Sequence, residues 1–116
     1  MYQLQLHKTL TPEKWQRYQK HQQLLMIGNE IRRLANGLKE GQNMKSLCEC
    51  IERTIELIDL TISCQQGSLQ KELLRFRDMF TSLYIMDEGE IRGADDYIEK
   101  LYILLLYLNS QSAVCA

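Results

Sequence analysis

The chain has 116 residues, 45% of them hydrophobic and 25% charged, and its 14 Lys and Arg against 15 Asp and Glu leave a net charge of -1. A chain of this length hides about 65% of the surface its unfolded form exposes, so it needs neither a metal nor a disulfide in order to fold. The near-neutral balance excludes a protein devoted to gripping phosphates, and one Pro with six Gly excludes both disorder and a loop-rich β architecture.

Residues 1–10 alternate Tyr2, Leu4 and Leu6 with Gln3 and Gln5 and contain one Lys. A period of two predicts a short extended arm, and neither a secretory nor a mitochondrial signal is expected there. A first helix is predicted from Thr11-Pro12-Glu13, where Thr caps, Pro occupies the first helical position and Glu faces the positive end of the dipole. Leu24, Ile27, Ile31, Leu34, Ala35 and Leu38 follow at helical spacing, and Glu40-Gly41 is the predicted stop.

Asn43 caps a second predicted helix whose apolar row is Met44, Leu47, Cys48, Ile51, Ile55, Ile58 and Ile62. Gln65-Gln66-Gly67-Ser68 breaks it, with Ser68 as the next cap, and Leu69, Leu73, Phe76, Phe80, Leu83 and Tyr84 mark one face of a third. A last break spans Asp87-Glu88-Gly89-Glu90 and Arg92-Gly93. The fourth helix, from about Ala94 to Asn109, turns Ile98, Leu101, Leu105 and Leu108 inward. Short breaks between long helices leave antiparallel neighbours as the simple solution. The expected fold is therefore all-α: an antiparallel up-down-up-down four-helix bundle over 11–109, with a short extended N-terminal arm over 1–10 and a flexible C-terminal tail over 110–116.

The four cysteines, Cys48, Cys50, Cys64 and Cys115, have no metal-type spacing and are expected as reduced thiols of a cytoplasmic protein. The longest apolar run, Leu101 to Leu108, has eight residues, far below the roughly 18 that span a bilayer, so no membrane partner is expected. His7 and His21 both lack the Glu three residues before them that a di-iron bundle requires, and no cofactor is expected. Glu49, Glu52, Glu56 and Asp59 fall in one quadrant of the second helix and are expected as a solvated charged flank. Residues 1–42 hold seven Lys and Arg against three Asp and Glu, whereas residues 87–116 hold two against six. The basic first helix thus complements the acidic fourth.

Two resemblances are partial. Arg17 and His21 resemble the Arg and His of helical-bundle ribonucleases from toxin systems, but only three residues separate them here and they stand in the first helix. With Arg32 and Arg33 they would form the site of a nucleic-acid-processing or toxin-type bundle, one of two alternatives to a binding module. The stretches Gln23-Leu24-Leu25-Met26-Ile27 and Ile51 to Leu60 resemble, at the level of fold alone, the flagellar export chaperones. That resemblance implies the other alternative, a bundle holding an amphipathic client peptide.

The feature that a lone bundle does not absorb is a second apolar row. On a continuous first helix Trp15, Tyr18, Leu25 and Met26 point well away from the inward row, and on the fourth helix Ile103, Leu106 and Tyr107 do the same. Large apolar surface of that kind marks interaction sites. These seven residues are the candidate interface of a non-enzymatic adaptor module that self-associates, with a homodimer the simplest form, or binds another protein rather than nucleic acid.

Overall fold

The computed structural model describes residues 11–114, with side chains through residue 110. The expected arm over 1–10 and Cys115 lie outside the described residues. Six helices follow in order: α1 (Pro12–Gln16), α2 (Lys20–Lys39), α3 (Met44–Cys64), α4 (Gly67–Thr81), α5 (Glu88–Arg92) and α6 (Asp95–Val114). Among the described residues there is no strand.

The expected continuous first helix is two helices. Thr11 caps α1 as anticipated, accepting from the Lys14 N–H at 3.2 Å. The chain then leaves helical geometry at Gln19, whose φ of -70° and ψ of 159° are extended, and restarts with the Gln22 side chain accepting the Gln19 N–H at 3.0 Å. The bend drives Trp15 into the core, where none of its surface is exposed and its indole N–H donates to Thr61 Oγ1 at 3.0 Å. The Gln23 side-chain amide braces the break, donating to Tyr18 O at 3.2 Å and, at 2.9 Å, to Trp15 O, which also accepts the Tyr18 N–H at 3.1 Å. Burying an indole contributes about 3–5 kcal/mol, against about 1 kcal/mol net for each backbone hydrogen bond given up, so the break wins.

The stop of α2 fell where the sequence places it. Gly41, at φ +73°, lets its own N–H reach Leu38 O and the Gln42 N–H reach Gly37 O, the paired bonds of a Schellman cap. Asn43 then caps α3, accepting from the Ser46 N–H at 2.8 Å. The buried side of α3 is broader than its isoleucine row, because Cys50, Thr54, Leu57, Leu60 and Thr61 are buried as well while Met44, Cys48, Ile55 and Ile62 are half-buried. Thr54 and Thr61 tolerate this by donating to the carbonyls one turn back, Cys50 O and Leu57 O, each at 2.8 Å. Helix α3 packs against α1, α2 and α4, so a single row could not serve all three.

Two further boundaries differ from the reading of the sequence. Ser68 is not the cap of α4; the helix begins at Gly67, whose φ of +69° makes the sharp entry. The acidic break at 87–90 contains α5, because Asp87 and Glu90 satisfy each other's backbone N–H groups at 2.8 and 3.1 Å. Helix α6 runs past Asn109 to Val114, so most of the expected tail has helical backbone. No Gly or Pro interrupts that stretch.

Helix α2 packs on α3 and on α6, and α4 also packs on α3 and on α6. Leu24, Ile27, Ile31, Leu34, Leu47, Ile51, Ile58, Leu73, Phe76, Phe80, Ile98, Leu101 and Leu105 meet in one core. The radius of gyration, 14.0 Å, is close to the roughly 13 Å expected of a compact chain this long.

Candidate interaction surface on helices α2 and α6

Gly28 decides how closely α2 and α6 approach. A Cβ there would stand 3.4 Å from Tyr102 Cε1 and 3.6 Å from Leu105 Cδ2, so the glycine sits directly against α6. Arg32, one turn further along α2, lays its guanidinium 5.0 Å from the centre of the Tyr102 ring. These contacts set the register. Leu25 lies one turn before Gly28 on the same flank, and Leu106 lies one turn after Tyr102, so both border the outer side of this crossing. Ile103 and Tyr107 continue the strip across the back of α6.

All four are exposed: Leu25 by 46%, Leu106 by 42%, Ile103 by 57% and Tyr107 by 58%. The other flank of α6 is used differently. Tyr97 donates its hydroxyl to Met79 O of α4 at 2.6 Å, tying that flank to α4.

Of the seven residues singled out from the sequence, the fold gathers Leu25, Ile103, Leu106 and Tyr107. Trp15 is a correction, since it lies wholly inside the core once the helix breaks. Met26 is half-buried against the same core and is likewise no part of an exposed face. Tyr18 is exposed, but it stands in the α1–α2 turn with its ring edge against Trp15, 5.7 Å between centroids.

The basic residues of the ribonuclease-like reading are spread from the α1–α2 break to the middle of α2. Arg17 lies in the break, His21 in the first turn of α2, Arg32 is held over Tyr102 and Arg33 bonds Glu30 at 3.3 Å. No cluster of His, Cys, Asp or Glu fit to hold a metal occurs among the described residues. Among them too, no helix is long and apolar enough to cross a membrane. Cys48, Cys50 and Cys64 are free thiols. Burial, and then the neighbouring Glu30 carboxylate, raises the Cys50 thiol above its ordinary value, and its Sγ lies 3.4 Å from Glu30 O.

Two of the four carboxylates in the α3 row are engaged by side chains from the following segments. Glu52 accepts the Tyr84 hydroxyl at 3.0 Å, and Asp59 is forked by Arg77 of α4, whose second contact is 3.4 Å. Between α3 and the turn after α4 lies an open groove of about 790 Å³ lined by Glu52, Ile55, Glu56, Asp78, Tyr84 and Ile85 among others. Sequence periodicity missed it, because it carried Tyr84 inward on a helix that in fact ends at Thr81.

No known protein family, curated protein or solved structure matches this chain. The functional reading therefore rests on the surface itself.

Proposed function

We propose that this protein is a non-enzymatic, cytoplasmic interaction module that forms a homodimer through the outer strip of α2 and α6. In this reading α2, α3, α4 and α6 make an antiparallel up-down-up-down bundle, with α1 and α5 as short connecting turns. The observation that carries the proposal is the contiguous exposure of Leu25, Ile103, Leu106 and Tyr107 beside the Gly28 crossing. Covering apolar side chains of this size is worth about 1.5–3 kcal/mol for each one fully buried, and one fold does not collect it alone.

A second copy suits the strip for two reasons. A two-fold axis through an apolar patch brings the same patch against itself, which makes the contact self-complementary. With the axis along the helices, it also sets the basic α2 of one protomer, with Arg32, Arg33 and Lys39, near the acidic start of its partner's α6, which carries Asp95, Asp96 and Glu99. Light scattering coupled to size exclusion tests this. We expect twice the chain mass in the micromolar range, falling to the monomer in Ile103→Glu, with the helical circular dichroism of the parent. A wild-type chain that stays monomeric throughout that range removes the proposal.

A further inference from the structure

We propose that the groove between α3 and the turn after α4 is a second docking site, for a short segment of a partner protein that carries Lys or Arg beside large apolar side chains. Its apolar part is Ile55 on the floor with Tyr84 and Ile85 on the rim, and Ile85 is 84% exposed. An isoleucine held that far out of the core contributes nothing to folding where it stands and gains only when something covers it. The rim is also placed rather than loose, because the Tyr84 hydroxyl is tied to Glu52 at 3.0 Å. A volume of about 790 Å³ falls within the range of ligand clefts, about 300–1,000 Å³. Being open along its side, the groove suits a row of side chains from a polypeptide better than an enclosed small molecule.

Charge chooses the occupant. Glu52, Glu56 and Asp78 line the groove, and the one cation among its lining residues, Arg77, is already forked onto Asp59. The described lining thus carries a net negative charge around an apolar floor, so a basic apolar segment is attracted and an acidic one repelled. The groove lies on the α3–α4 side of the molecule, whereas the proposed dimer strip lies on the α2–α6 side, so the two surfaces can be tested independently.

The test is fluorescence anisotropy of the full chain with two short labelled peptides, one alternating Leu and Lys and the other alternating Leu and Glu. We expect the Leu/Lys peptide to bind at least about tenfold tighter, with an affinity that falls as salt rises. Ile85→Ser changes a side chain outside the core and leaves the fold intact; it should weaken binding about tenfold, as a lost apolar anchor does. Paired Glu52→Gln and Asp78→Asn should remove most of the salt dependence, while Ile103→Glu on the other face should leave binding unchanged. Equal affinity for the two peptides, or unaltered binding by Ile85→Ser, overturns the proposal. So does binding that appears only after residues 1–10 are deleted or only in a monomeric variant, because the groove would then serve the chain itself.

Discussion

Among single residues, Trp15 and Gln23 do the most to shape the molecule. The indole N–H ends on Thr61 Oγ1, and the Gln23 amide donates across the bend to the carbonyls of Trp15 and Tyr18 while its own oxygen accepts from Gln65 Nε2 at 3.3 Å. Trp15→Ala should cost about 3–5 kcal/mol in urea unfolding, since the cavity cannot be refilled from a five-residue helix. Gln23→Ala should cost about 1–2 kcal/mol, the loss of its side-chain hydrogen bonds to Trp15 O and Tyr18 O, although Trp15 O keeps the Tyr18 N–H. A loss for Gln23→Ala no larger than that for an exposed glutamine such as Gln66→Ala would show that the bend does not depend on it. Cys50 offers a pH signature. Its thiol holds its proton in the folded chain above the ordinary value of 9.0, whereas the unfolded chain releases it there. The stabilisation is thus complete below that pH and is lost as pH rises through the raised value. Urea midpoints at about pH 8 and about pH 10 should fall further in the wild type than in Cys50→Ala. The apolar row read from the sequence takes in Cys48 and leaves out Cys50, whereas the packing of α3 against Glu30 of α2 buries Cys50 and leaves Cys48 half-buried.

Helix boundaries were legible wherever a cap or a stop acts locally. Thr11, Asn43 and Gly41 perform the roles their types suggest, because each satisfies backbone groups within a few residues of itself. Gly41→Ala should destabilise by about 1–2 kcal/mol, the cost of a side chain at φ +73°, although open space surrounds the position. Gly28 behaves in the opposite way. It lies within α2 with ordinary helical backbone, and an added methyl would meet Tyr102 and Leu105 at contact distance without overlap. Gly28→Ala should therefore stabilise by about 0.5–1 kcal/mol in thermal unfolding, whereas Gly28→Leu should cost about 2 kcal/mol by pushing α6 away. Destabilisation by both would mean that the crossing is tighter than the contacts indicate. The break between α1 and α2 was not legible, since Arg17-Tyr18-Gln19 contains no Gly or Pro. Its cause is a distant one, the space for an indole beside α3.

For the whole molecule, the row of apolar residues that a lone fold does not need divides into two kinds once the chain is folded. Trp15 and Met26 were apparent surplus on an unbroken helix and are accounted for by the core. Leu25, Ile103, Leu106 and Tyr107 remain outside, beside the crossing where Gly28 meets Tyr102 and Leu105 and Arg32 lies over Tyr102. If the strip is a dimer contact, Tyr107→Ala should raise the dissociation constant about tenfold in sedimentation equilibrium, as truncation of an aromatic anchor does. Leu74→Ala, at an exposed leucine on α4, should leave it unchanged. Equal effects of the two substitutions would show that association is not localised to α2 and α6.

The sequence by itself determined the helical class, the caps at Thr11 and Asn43, the stop at Gly41 and most of the apolar core, because periodicity and capping act over neighbouring residues. Only the tertiary structure decided that Trp15 turns inward, that Asp59 finds Arg77, and that Tyr84 and Ile85 rim a groove. Each of those outcomes depends on which side chains from remote segments arrive at the same place, and no local pattern records the distance between helices.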